Sequence, residues 1–285
     1  MTSHDVVMRV RKVLGIKKVG HAGTLDPLAT GVLVVCLGRA TRLSNYLTGQ
    51  TKRYRTRVLL GVQTDTLDAD GAVIGESSEI PESLDVVEAA VRPFRGRIRQ
   101  EPPMYSARKV AGERLHKLAR AGKIVDREAR EIEVYNLDIL NYRPPNLDLD
   151  VVCSKGTYIR VLADDIGRRL GCGGSVARLR RIESGSITER DCVPLDDITP
   201  ETVSGALIDP NEALADMAEC ALNENEIRRF AHGNSIRTDL EVPSPCRVVD
   251  TGGVFWGIGQ ADEEGWLRPV CVLKEVGSLR DTHPA

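Results

Sequence analysis

The stretch GHAGTLDPLATG at residues 20–31 restricts the fold more than any other part of this sequence. Gly20, Gly23, Pro27 and Gly31 oppose a regular helix or strand through it. It runs straight into Val32, Leu33, Val34, Val35, Cys36 and Leu37, an unbroken apolar run of buried-strand length. A polar loop is therefore held against the core. Glycine lets backbone approach a ligand closely, and His21, Thr24 and Asp26 are the chemically capable side chains of the loop. Asp26 followed by Pro27 is equally a helix N-cap with proline at the first helical position, so capping and chemistry both fit at this point. The glycine spacing does not match G-x-x-x-x-G-K-[ST], which disfavours a phosphate loop for a nucleotide.

Upstream, Val6, Val7, Val10 and Leu14 give a short helical stripe with Ser3 as its cap. Downstream, Thr56, Val58 and Leu60 alternate with Arg55, Arg57 and Leu59, the pattern of a strand with one partly wet face. Glycine and aspartate dominate 61–71 and predict a turn region. Helices are predicted over 84–92 and 109–121, separated by a segment that Pro102 and Pro103 force to be extended. Strands are predicted over 131–139 and 147–153. Leu162, Ile166 and Leu170, at four-residue spacing, predict a helix from Tyr158 onward. Strands with interspersed helices, in no regular strand-helix-strand array, point to an α+β fold. Beyond Arg228 short apolar runs alternate with Gly233, Gly252, Gly253, Gly257, Gly259 and Gly265, which predicts a small all-β module leaning on the main unit.

A formal net charge of -2 conceals strong segregation. Residues 1–60 hold eleven Lys/Arg against two acids, Asp5 and Asp26, whereas residues 61–90 hold eight acids and no Lys/Arg. Arg168, Arg169, Arg178, Arg180 and Arg181 form a second basic group, followed by nine acids and no base over 192–226. Such segregation can build one positive face on a nearly neutral protein, and phosphate binding depends on that local field. Seven cysteines without a C-x-x-C pair argue against a zinc ribbon or a disulfide framework and for a reducing compartment. The first residues lack the long apolar core of a signal peptide, and no run approaches the ~20 apolar residues that span a bilayer. The chain therefore reads as cytoplasmic, with no membrane partner.

Polar groups also gather at segment ends. Tyr54 follows Lys52 and Arg53 at the start of a predicted strand, and Lys155, Tyr158 and Arg160 surround a strand-to-helix junction. An arginine in a dry pocket needs a carboxylate, and Asp26 would need an arginine to stay charged, so one pair would satisfy both. Arg160 could instead pair with Asp164 at i,i+4.

Six blocks taken together carry a resemblance: GHAGTLDPLATGVL at 20–33, KRYRTRVLLG at 52–61, TDTLDADG at 64–71, QEPPMYSARKVAGERL at 100–115, CSKGTYIRVLADDIG at 153–167 and LRRIESG at 179–185. In this order they resemble the TruB family of tRNA pseudouridine-55 synthases. The resemblance implies a pseudouridine-synthase fold, a mixed β-sheet with flanking helices, over residues 1–206. It implies further a helical connector over 207–230 and a small PUA-like RNA-binding β domain over 231–285. Members of that family usually begin with an extended segment ending in Lys-Pro-x-Gly just before the Thr-Ser-His step. This sequence starts at that step, so an edge segment of the sheet is expected to be missing.

The same resemblance implies site roles. Asp26, the aspartate of GTLDP, is expected to be the nucleophile. His21 is expected to pack against the substrate loop and help hold the extruded base, Tyr54 to stack on the uracil, Tyr158 to position the base or assist proton removal from C5, and Arg160 to pair with Asp26. Leu179 is expected to line the pocket. Gly23, Thr24, Lys52, Lys155, Arg180 and Arg181 complete the expected substrate-binding set. The reaction moves no electrons to an acceptor and transfers no phosphoryl group, so neither metal nor cofactor is implied. The expected partner is the T-arm and T-loop of tRNA, met by a monomer with no obligate protein partner. The alternative is a non-catalytic tRNA-binding or folding chaperone using the same basic face. A related archaeal and eukaryotic branch works inside guide-RNA particles. Its members carry particle-binding extensions that this sequence lacks, which favours a stand-alone enzyme.

Overall fold

The structure, a computed structural model, describes residues 1–106, 109–110, 113–114, 125–238 and 244–274. At its centre lies the strand Lys52–Leu60, flanked antiparallel by Asn146–Cys153 on one side and Gly174–Ser184 on the other. Arg130–Arg143 and then Gly96–Gln100 extend the sheet beyond Asn146–Cys153. Ile187–Thr188, and in parallel Thr30–Gly31, add to the outer side of Gly174–Ser184. Helix Ile159–Arg169 covers one face. Leu162 and Ile166 are buried in a single cluster with Val58, Leu149 and Val176, the apolar positions of three neighbouring strands. This is the α+β architecture expected, and the predicted helix and both strands between 131 and 170 are present.

Alternation along Lys52–Leu60 decides what each face carries. Thr56, Val58 and Leu60 point into the core on the side of Tyr54, so Arg53, Arg55 and Arg57 point to the opposite face. There Arg57 forms an ion pair with Asp148 at 2.7 Å, and Arg53 and Arg55 share Asp150 at 2.7 and 3.5 Å. These arginines build a charged lattice behind the sheet, on the side away from Tyr54.

A second sheet of five strands orders Glu219–Leu222, Cys246–Asp250, Phe255–Ala261, Trp266–Val272 and Ile236–Arg237. One face of it closes over helix Glu224–Ala231 through Ile227, Phe230 and Trp256. The other face, with Val249, Phe255, Ile258 and Cys271, packs on Leu43, Leu47, Ile187 and Leu214 of the larger unit. Arg42 and Arg39 reach across to donate to the Val272 and Leu273 carbonyls at 2.6 and 3.1 Å. Glu219–Leu222 falls inside the stretch expected as a helical connector, yet it pairs in parallel with Cys246–Asp250 and so belongs to this sheet.

Other expectations change for local physical reasons. The first helix is Ser3–Leu14 and its cap is Thr2, not Ser3. The Thr2 hydroxyl accepts from Asp5 N while the Asp5 carboxylate accepts from Thr2 N. Of the apolar run 32–37 only Val35–Leu37 is strand, paired with Val19–His21, because the Val32 amide is committed to the Arg181 carbonyl and turns the chain. Residues 61–71 do turn, but Val62–Thr64 and Val73–Glu76 pair around them as a hairpin. The helix expected over 109–121 is replaced at its start by Lys109–Val110 pairing with Glu113–Arg114, and the remainder lies outside the described residues. Gly112, which costs a helix interior ~1 kcal/mol relative to alanine, falls between those two pieces. Among the described residues no helix is long and apolar enough to cross a membrane.

Candidate active site

The loop 22–32 crosses the edge of the central sheet and is gripped from outside at three points. Ser3, 6% exposed, accepts from Leu25 N at 2.9 Å and donates to Leu25 O, so the first helix fixes the residue before Asp26. Arg181, 1% exposed, donates through Nε to Val32 O at 2.7 Å and through Nη2 to Gly23 O at 3.1 Å, closing the two ends of the loop with one guanidinium. Gly31 then lies so close to the neighbouring strand that a Cβ there would sit 2.1 Å from Arg181 O. Its φ of +95° also belongs to the region that favours glycine.

Held this way, Asp26 presents both carboxylate oxygens to Arg160. Nε donates to Oδ2 and Nη2 to Oδ1, each at 2.8 Å, in the two-point fork geometry that suits a guanidinium. The capping reading of Asp26 fails because no helix follows it: residues 27–28 form a turn, and the carboxylate faces Arg160 instead. The alternative partner of Arg160 also falls away: Asp164 pairs with Arg168 at 2.8 Å.

Arg160 is itself buried and over-determined. Nη1 donates to Thr66 O at 2.8 Å and lies 3.4 Å from Asp68 Oδ2, and Nη2 donates to Tyr105 O at 2.9 Å. Asp68 accepts from Thr66 Oγ1 and from Asp70 N. Its burial raises the carboxyl pKa above 3.8, against the opposing effects of the Thr66 hydroxyl and the Arg160 charge. Thr66, Asp68 and Tyr105 are site residues that sequence reasoning did not single out. The Asp-rich run was read as a turn, and nothing in its spacing shows which acid goes inside.

Tyr54 projects from the central strand into the same core and is partly buried. Desolvation raises its pKa first of all, with the Arg181 charge opposing. Tyr158 is the N-cap residue of helix Ile159–Arg169, two residues before Arg160. Leu179 is buried beside them in the main core. His21 ends the strand Val19–His21 at the entry to the loop and is half-buried, and burial followed by the Arg181 charge lowers its pKa. Thr24, Lys155 and Arg180 are exposed, and Arg180 pairs with Glu189 and donates to Thr30 Oγ1.

Two residues expected at the substrate have other partners. The Lys52 ammonium is buried and donates to Leu47 O, Thr48 O and Gln50 O, closing the end of helix Ser44–Gly49. Desolvation lowers its pKa to about 8. The Arg181 guanidinium is buried against the loop carbonyls, as above. A phosphate contact from Lys52 would have to break one of its three bonds.

An apolar cleft of about 1320 Å³ runs behind the loop, between the first helix, residues 32–38 and residues 192–213. Asp26 stands on its wall, but Tyr54, Tyr158 and Arg160 do not. Arg160 meets the carboxylate from the buried side instead.

Comparison with known proteins gives a consistent match along the chain. Residues 11–159 match the family described as TruB family pseudouridylate synthase (N terminal domain). Residues 160–217 match the tRNA pseudouridylate synthase B C-terminal domain, and 218–273 match Pseudouridine synthase II TruB, C-terminal. The tRNA pseudouridine synthase B of Pseudomonas paraeruginosa is 41% identical over 278 residues, covering 94% of this chain and 91% of its own. That of Clostridium perfringens (strain 13) is 39% identical over 282 residues, covering 96% of each. Among solved structures, one from a Cbf5-Nop10-Gar1 complex superposes with a TM-score of 0.75 at 24% identity, over 96% of this chain and 81% of that one. It shares the fold.

Proposed function

Since the chain belongs to the TruB family of pseudouridylate synthases, we propose that this isomerase acts on tRNA, converting uridine to pseudouridine at position 55 of the T-loop with Asp26 as nucleophile. The observation that carries the choice of Asp26 is its two-point pair with a buried arginine, which orients the carboxylate.

The reaction breaks the N1–C1′ bond, turns the uracil and rejoins it through C5. A uridine in a folded T-loop must first be extruded, at a cost of a few kcal/mol. Stacking on Tyr54, at ~1–3 kcal/mol, offsets part of this, and phosphate contacts from exposed basic groups such as Lys155 supply the rest. His21 and Leu179 close around the flipped base. Asp26 then either attacks C1′ to give a sugar ester or acts while a 2′ proton leaves to give a glycal; both routes need its carboxylate ionised and aimed. Arg160 supplies that aim. Tyr158, at the start of the Arg160 helix, positions the base or assists loss of the C5 proton. In this reading the protein works in the cytoplasm as a monomer, with a catalytic unit over 1–206 and the five-stranded sheet adding RNA contacts.

The test is incubation with an unmodified tRNA transcript, followed by tritium release and mapping of pseudouridine. Pseudouridine confined to the T-loop position is expected. Binding of the transcript without isomerisation would instead favour the chaperone reading.

A further inference from the structure

Gln100 ends the strand Gly96–Gln100 and is 3% exposed. Both polar atoms of its side chain engage the backbone of Tyr158. Tyr158 N donates to Oε1 at 2.7 Å, and Nε2 donates to Tyr158 O at 3.1 Å. One side chain thereby imitates a rung of β-ladder. The partner matters, because Tyr158 opens the helix that carries Arg160 and its own side chain makes no capping bond. An amide at that helix entry needs an acceptor from elsewhere, and Gln100 provides it.

The chain after Gln100 reinforces the hold. Five residues on, Tyr105 O accepts from Arg160 Nη2 at 2.9 Å. Between the two contacts lie Pro102 and Pro103, both buried, whose fixed φ leaves this strap few alternative paths. The strap thus touches the helix start at Tyr158 through a side chain and at Arg160 through a carbonyl. From this we infer that Gln100 is a positioning residue for the isomerisation: its amide sets the helix entry, and through it the aim of Tyr158 and of the Arg160 fork on Asp26. The inference rests on the functional reading of this same site. Gln100 touches no reacting atom, so its effect belongs on the chemical step rather than on tRNA affinity.

Two substitutions test it. Gln100→Leu keeps the shape and removes both bonds. Its single-turnover rate on the tRNA transcript should fall roughly 10- to 100-fold, the penalty of a displacement near 1 Å, while its tRNA Kd stays close to wild type and its melting temperature falls by a few degrees because the Tyr158 amide loses its acceptor. Gln100→Glu carries a sharper signature. Ionised, it still accepts from Tyr158 N but sets a negative charge against Tyr158 O. Protonated, its hydroxyl restores the missing donor. Relative to wild type at each pH, its single-turnover rate should therefore rise as pH is lowered from about 8 to about 6, because burial raises a carboxyl pKa. A merely structural role predicts no such profile. Gln100→Leu with an undiminished rate overturns the inference, as does Gln100→Glu with a wild-type pH profile; if the leucine variant does not fold, the glutamate profile decides. Wild type on the same transcript separates the two levels. An inactive wild type overturns the functional reading and this inference together, whereas an active wild type beside an unaffected leucine variant overturns the inference alone.

Discussion

At the scale of single residues, the site turns on one buried guanidinium shared between two carboxylates. Arg160 gives Asp26 two bonds and leaves Asp68 one edge at 3.4 Å, so the two acids are not equivalent. Asp26→Asn preserves size but keeps only one of the two acceptors for Arg160, and it cannot act as a nucleophile. We expect tRNA affinity within a fewfold of wild type and turnover lowered on the order of 10⁴-fold or more, read by tritium release. Near-wild-type turnover would remove Asp26 from the mechanism. Asp68 offers a test in stability. Its folded pKa lies above 3.8 because burial outweighs its partners, so the native state keeps this proton to higher pH than the unfolded chain does. Asp68 therefore contributes a stability that is present in acid and is lost as pH rises from 3.8 through the raised folded value. Asp68→Asn lacks that loss. Denaturant melts from about pH 3 to pH 6 should show the difference between variant and wild type moving in favour of the variant as pH rises. The opposite slope would show that the Arg160 charge dominates.

At the scale of elements, the carboxylate is aimed by a loop whose only regular part is the short strand Thr30–Gly31, and Ser3 and Arg181 hold it at Gly23, Leu25 and Val32. Gly31 is the sensitive point of that arrangement. Gly31→Ala places a methyl group against Arg181 O and forces a positive φ on alanine, so we expect a loss of at least ~2 kcal/mol in urea denaturation together with slower turnover. Unchanged stability would mean that the strand pairing at Thr30–Gly31 is dispensable. These clamps also show which parts of the structure were legible in the sequence. The central strand, the helix after Tyr158 and the buried loop follow from alternation, four-residue spacing and glycine placement, all local properties. Asp26 with Arg160 was legible as one chemically sensible pairing among alternatives, and the resemblance to a known family chose it. Ser3, Asp68 and Gln100 were not, because each acts through a backbone or guanidinium 22 to 92 residues away, and their own neighbours fit a cap, a turn and a strand end equally well. Alternation also turns Arg53, Arg55 and Arg57 away from the side on which Tyr54 stands.

At the scale of the whole molecule, the five-stranded sheet shares an apolar layer with the larger unit. Phe255, 6% exposed, lies in that layer with Leu43, Leu47, Ile187 and Leu214. A shared core of this kind couples the two sheets, so wild type should unfold in one transition. The sequence supplies the probe. Its only two tryptophans, Trp256 and Trp266, both lie in the small sheet, so their fluorescence follows that sheet alone, while far-UV circular dichroism is weighted toward the larger unit. The two signals should coincide in wild type. Phe255→Ala removes a ring from the joint layer and should lower both together by ~3–5 kcal/mol. If fluorescence moves to lower denaturant while the dichroism stays, the small sheet unfolds by itself, and the layer is a contact between independent units. A coupled answer would have a consequence for RNA recognition. Any contact the small sheet makes with tRNA would then be fixed in register with Asp26 through Leu43 and Leu47, the latter on the helix whose end Lys52 closes beneath Gly23.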